Sequence, residues 1–281
     1  MNIQWFNILR GFAMGISDLI PGVSGGTIAL LLGIYEDFIG SISKLFSKDF
    51  KKSFLFLLPI GIGMLLAIGG LSGLINYLLE FYPVPTMFLF VGLIFGTIPF
   101  LLRISEYKRE FSMTHWLVVL IFAIALASLA FFGPEKSQGA TTNLDLSSSM
   151  LLLYFIAGIC ASSAMLLPGI SGSFVLLLFG VYHAVIFSIS QLVRLNFVGL
   201  PILFLVGLGV LVGFIFASKL IAYLLDKHTY MTYAAILGLI IGSLASIYPG
   251  LPTSLPMWIA SGITLVVGFL ISSILGRYTE A

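Results

Sequence analysis

Two short stretches carry the residue types from which an anion site can be built. Pro21-Gly22-Val23-Ser24-Gly25-Gly26-Thr27 and Pro168-Gly169-Ile170-Ser171-Gly172-Ser173 each set a Pro-Gly break before a serine and small residues. A helix restarting near that serine presents its first N–H groups without partners, at the positive end of its dipole. Gly25, Gly26 and Gly172 have no side chain to keep a ligand off this backbone, and Ser24, Thr27, Ser171 and Ser173 add hydroxyl donors. Helix N-termini of this kind bind anions, phosphate above all. The competing reading is a tight turn that only packs helices, although such a turn has no need of so many donors.

Ionisable residues near these stretches extend the candidate site. Asp18 stands three residues before Pro21, where the second stretch has Met165. A carboxylate deep in apolar sequence is costly and by default functional. It can cap neighbouring N–H groups, pair with Arg10, or carry a proton for coupled transport. Glu36 and His183 occupy equivalent places, each after a tyrosine. On one continuous helix they would lie about 18 Å from the serines at 1.5 Å per residue. There they could gate protons near opposite membrane faces or serve as interfacial anchors. Arg194 could draw a phosphate to the outer side or simply reach for the interface.

The elements that position these residues must lie in a membrane. Of 281 residues, 59% are hydrophobic and 9% charged, against about 25% charged in a soluble domain. The net charge of +2 and the absence of a basic stripe argue against nucleic-acid binding. A single cysteine, Cys160, excludes an intrachain disulfide and a Cys-rich metal site; no cofactor or metal is expected. The segment after Arg10 does not read as a secretory leader.

A bilayer core needs about 20 apolar residues per helix. Residues 54–79, 84–102, 116–132, 201–225, 231–247 and 258–275 read as plain transmembrane helices. Residues 6–46 and 150–192 are apolar but broken at Pro21-Gly22 and Pro168-Gly169. The freed backbone groups at such breaks must face protein or a water-filled cavity.

The two halves are copies. The motif match continues through Leu30-Leu31, Gly33 and Tyr35 to Leu177-Leu178, Gly180 and Tyr182 at a displacement of 147 residues, and back to Gly11 and Gly158. At 146, residues 74–80 match 220–226, and Gly92 and Gly96 match Gly238 and Gly242. The expected architecture is all-α and integral to the membrane. It comprises a first repeat over 1–133, an external linker over 134–147 and a second repeat over 148–281. Each repeat holds one re-entrant or hairpin region plus three helices. An even number of crossings in the broken region, plus three, inverts the second copy, whereas a single crossing would leave the copies parallel. With the N- and C-termini cytoplasmic, Arg10, Lys44, Lys48, Lys51, Lys52, Arg103, Lys108, Arg109, Lys227 and Arg277 fall inside, and only Lys136 and Arg194 outside. That split agrees with the positive-inside rule. Inverted repeats with interrupted helices are the architecture of secondary transporters, whose sites lie near the midplane.

The stretch from Gly15 to Thr27, with its echo from Leu167 to Ser173, resembles the bacterial polyprenyl-phosphate transporter family, and the likeness covers nearly the whole chain. The resemblance implies a flippase of the bacterial cytoplasmic membrane that moves undecaprenyl phosphate for cell-wall synthesis. Its partners would be that lipid and the surrounding membrane lipids; the residues themselves point only to an anion. A transporter of a small soluble anion is the alternative. Both motifs also read Gly-x-Ser-Gly, as in intramembrane serine proteases. His183, twelve residues past Ser171, and His115 and His228 at expected helix ends are poorly placed to serve as the base. A lipid phosphatase would need His, Arg and Asp clustered in one loop, and no loop has them. The chain is therefore read as a transporter and not an enzyme.

Overall fold

The computed structural model describes residues 4–20, 23–45, 47–132 and 146–279. Pro21-Gly22, Lys136 and nearly all of the expected external linker lie outside these residues. The first half runs α1 (Asn7–Asp18), α2 (Gly25–Leu31), α3 (Tyr35–Ser43), α4 (Phe50–Phe81), α5 (Pro83–Ile104), the single turn α6 (Tyr107–Glu110) and α7 (Met113–Phe132). The second runs α8 (Ser148–Met165), α9 (Gly172–Leu178), α10 (Tyr182–Val193), α11 (Leu200–Lys227), α12 (Thr229–Ile247) and α13 (Leu255–Thr279), with a 3-10 turn at Phe197–Gly199. No strand occurs among the described residues. Among the described residues, seven helices are long and apolar enough to cross a membrane: α4, α5, α7, α8, α11, α12 and α13. The six plain spans expected from sequence lie inside these helices, which run up to four residues further at their ends. Polar terminal residues end an apolar window but not a hydrogen-bond ladder.

The halves correspond element by element. α2 and α9 start at Gly25 and Gly172 and each runs seven residues; α1 and α8 end at Asp18 and Met165; α3 and α10 start at Tyr35 and Tyr182. The helix crossings repeat too. α1 packs on α4 with Gly11 against the Ile60 carbonyl and Gly63 against that of Ile8. α8 packs on α11 with Gly158 against the Val206 carbonyl and Gly209 against that of Phe155. A Cβ at any of these glycines would run into the facing backbone. Close backbone approach supplies the dispersion contacts that hold helices together where lipid weakens the hydrophobic drive. The next pairs are exchanged between halves: α5 packs on α13 through Gly92 and Gly268, and α12 on α7 through Gly238 and Gly242.

One expectation needs correction. The helix after each Pro-Gly break does not continue to Glu36 or His183. It ends after seven residues, and α9 and α10 are bent by 117°. Gly33 (φ +66°) and Gly180 (φ +70°) occupy the left-handed region. Ile34 N–H bonds Ala29 O and Gly33 N–H bonds Leu30 O; Val181 to Leu176 and Gly180 to Leu177 repeat the pair. This is the Schellman ending, which glycine adopts without a Cβ penalty. The matched Gly33 and Gly180 were its signal in the sequence.

Candidate functional site

Each turn is built by what flanks it. Pro21 follows α1 by three residues, and proline cannot sit inside a helix without losing a bond and clashing. α2 then restarts at an N-cap serine: Ser24 has extended backbone (φ −117°, ψ 132°), and its Oγ accepts from Gly26 N–H at 3.1 Å. The Asp18 carboxylate reaches across the break, and its Oδ1 accepts the Gly25 N–H at 2.7 Å. Thr27 N–H bonds the Ser24 carbonyl. The N–H groups of Gly25, Gly26 and Thr27 are thus engaged inside the protein. Of the three readings of Asp18, the capping geometry is present. Arg10 instead donates to Asn7 Oδ1 at 2.9 Å and lies over the Phe6 ring. The second carboxylate oxygen, Asp18 Oδ2, is buried with no partner among the described residues.

The second turn differs in its satisfaction. Met165 stands where the first has Asp18, and among the described residues no side chain caps α9. Ser171 and Ser173 hydroxyls hydrogen-bond each other at 2.6 Å. Gly169 adopts φ +91° with its Cα against the backbone of Leu239 and Ile240, so the turn is pinned to α12 where no side chain would fit.

The two breaks meet. Gly169 N–H donates to Thr27 Oγ1 at 3.0 Å, Ser24 Oγ lies 3.5 Å from the Leu167 carbonyl, and the Tyr35 hydroxyl donates to the Leu166 carbonyl at 3.0 Å. Residues more than 130 positions apart are joined by polar bonds at a site whose surroundings are apolar. Such buried bonds are specific because the alternative is an unsatisfied group. Among the described residues, no hydrogen-bond partner of Ser24 or Ser171 is a histidine.

The remaining sequence candidates lie apart from the turns. Glu36 accepts from the Tyr233 hydroxyl at 2.7 Å, a contact between the two halves. It borders a polar cavity of 740 Å³ shared with Arg10, Asp37, Lys44, Lys52 and Asp226. His183 is half-buried with its ring edge-on to Tyr182, and Arg194 is exposed just past α10. Sequence reasoning missed Tyr233, which lies 197 residues from its partner and outside the matched stretches. It noted Tyr35 only as a repeat match. It also missed an apolar cavity of 300 Å³ beside the first turn, bordered by Asp18, Gly25 and Gly26.

With every described element helical, seven of them of membrane length, and two broken segments joined by polar bonds, this is a multi-pass membrane protein with an interrupted-helix core. Residues 14–265 match the family model described as VCA0040-like, undecaprenyl phosphate translocase-like. The chain belongs to this family. It is 57% identical over 277 residues to a polyprenyl-phosphate transporter of Staphylococcus aureus (strain NCTC 8325 / PS 47), covering 98% of this chain and 97% of that one. It is 33% identical over 255 residues to a polyprenyl-phosphate transporter of Vibrio cholerae serotype O1 (strain ATCC 39315 / El Tor Inaba N16961), covering 86% and 76%. No solved structure matches it.

Proposed function

We propose that this protein carries a polyprenyl phosphate, undecaprenyl phosphate in the first instance, across the bacterial cytoplasmic membrane and so returns the carrier lipid for envelope synthesis. The observation that carries the reading is the junction of the two breaks, where Thr27 Oγ1 receives the Gly169 N–H at 3.0 Å beside the Asp18 carboxylate. Family membership supplies the lipid. The phosphate would be held by Ser171, Gly172 and Ser173, with Ser24, Gly25, Gly26 and Thr27 on the facing side. Asp18 occupies the Gly25 N–H that a phosphate oxygen would use, so carboxylate and ligand compete for one donor. Protonation of Asp18 would weaken its hold and free that donor, which would couple lipid entry to a proton. The two halves would be inverted, as the one-sided placement of the Lys and Arg residues supports. The basic residues around the polar cavity would face the cytoplasm. No bond is made or broken in this cycle, so the protein acts as a transporter and not a hydrolase.

The test is flux of polyprenyl phosphate in vesicles holding the purified protein. A Cβ at Gly172 would sit 3.2 Å from the Ala161 carbonyl and 3.6 Å from the Met165 side chain. Gly172→Leu places a bulky side chain in the donor turn and should lower flux by about 100-fold, the scale of an ångström-level misplacement. Membrane insertion should be unaffected. Normal flux in this variant would overturn the anion-turn reading.

A further inference from the structure

The apolar cavity beside the first turn has a shape and polarity that the phosphate reading does not use. The buried Gly25 and Gly26 and the half-buried Asp18 line it on the side of the first turn. Its walls include Phe38 and Ile42 of α3, Leu57 and Met64 of α4, and Phe214 of α11. α4 and α11 both pack on α3 and line the cavity. Leu211 on its rim is 54% exposed on the apolar outer surface of α11. The site therefore grades from hydrogen-bonding groups inside to hydrocarbon walls and then to the surface that faces lipid. A soluble anion would gain nothing from such walls, whereas an anionic head on a hydrocarbon tail matches the gradient from end to end. A dry cavity of about 150 Å³ takes one benzene, so 300 Å³ has room for about two five-carbon units.

Building on the transport reading above, we propose that this cavity receives the isoprene units nearest the phosphate, entering sideways between α4 and α11. Asp18 Oδ2, buried without a partner among the described residues, carries the proton that admits the lipid and donates it in a hydrogen bond to a phosphate oxygen.

Gly61 lines the cavity, and a Cβ there meets nothing within 4 Å. Gly61→Phe therefore fills the space without a clash in the helix. Gly69, on the same helix and equally open but away from the cavity, gives the matched control Gly69→Phe. The full-length protein in nanodiscs is titrated with geranyl phosphate, which has two isoprene units, and with inorganic phosphate. Gly61→Phe should weaken geranyl phosphate at least about tenfold and leave inorganic phosphate unchanged; Gly69→Phe should change neither. Wild-type affinity of Gly61→Phe for geranyl phosphate overturns the tail assignment, and so does equal loss of both ligands. Because Gly61→Phe could still misfold, a second arm uses the wild type. Geranyl phosphate with a photoreactive group on its second isoprene should label the α4 segment 57–64 and the α11 segment 211–215. Labelling confined to other segments overturns the proposal. If the wild type moves long-chain polyprenyl phosphate while either arm fails, only the tail assignment falls. If it neither binds nor moves that lipid, the functional reading itself falls.

Discussion

The two broken hairpins share a motif, an element order and a pair of Schellman endings, but they are embedded differently. In α2, Gly25, Gly26, Thr27, Ala29, Leu30 and Leu31 are buried; in α9, only Val175 is. α2 touches α5 and α13, and α3 packs on both α4 and α11. α9 leans on α8 and α10, and α10 on α11 and the 3-10 turn. The first hairpin thus sits in the main core, among Ile94, Phe100, Ile236 and Ile240, with α12 the most enclosed of the spans at 61% buried against 11% for α7. The second belongs to a smaller cluster around Tyr154, Val181 and Ile202. Capping follows the same division, with Asp18 and Ser24 holding α2 and no described side chain holding α9. Duplication copied a backbone plan. Divergence then made one copy an acid-bearing anchor and left the other without a described side-chain cap.

That contrast can be broken most directly at Thr27, whose counterpart in the second copy is Phe174. Thr27→Val keeps the shape and removes the acceptor for Gly169 N–H. Leaving a buried N–H unsatisfied costs about 1–3 kcal/mol, so the thermal midpoint in detergent should fall. An unchanged midpoint would mean that the two breaks do not depend on this bond.

Asp18 sharpens the contrast next. Asp18→Met installs the residue of the second copy and should cost about 0.5–2 kcal/mol, the worth of an N-terminal cap. Asp18→Asn should keep most of that stability because the amide still accepts from Gly25 N–H. If the acid also carries a proton, Asp18→Asn removes the response of flux to an imposed pH gradient. We expect that loss; a retained response would assign Asp18 to structure alone.

The smallest effect is expected at the latch between halves. Tyr233→Phe deletes the bond to Glu36 and should destabilise by about 0.5–1.5 kcal/mol. Glu36→Gln should lose less, since the amide oxygen still accepts, and the double variant should add nothing to Tyr233→Phe. Additive losses would show that the two groups act separately.

Much of this plan was legible in the sequence because its causes are local. Apolar runs longer than a bilayer core mark helices, Pro-Gly pairs mark breaks, and a register held from Gly11 to Gly96 and again from Gly158 to Gly242 marks duplication. A helix start near Ser24 and Asp18 as a candidate cap could be read from neighbours within a few residues. The bend after seven residues was also written there, in Gly33 and Gly180, but a continuous apolar run through Leu31 and Leu178 concealed it. Hydropathy reports burial and not direction.

What only the tertiary structure decided is which distant groups share a space. Tyr233 meets Glu36, Thr27 meets Gly169, and α4 and α11 frame a cavity beside Asp18, each across at least 140 residues of chain or between separate helices. The sequence by itself determined that the chain is a bundle of membrane helices in two matching halves, each with a Pro-Gly break. It could not say that one copy would be buried and capped while the other stayed open. Near-identical local motifs carry near-identical local propensities, and their difference arises from the neighbours that packing assigns to them.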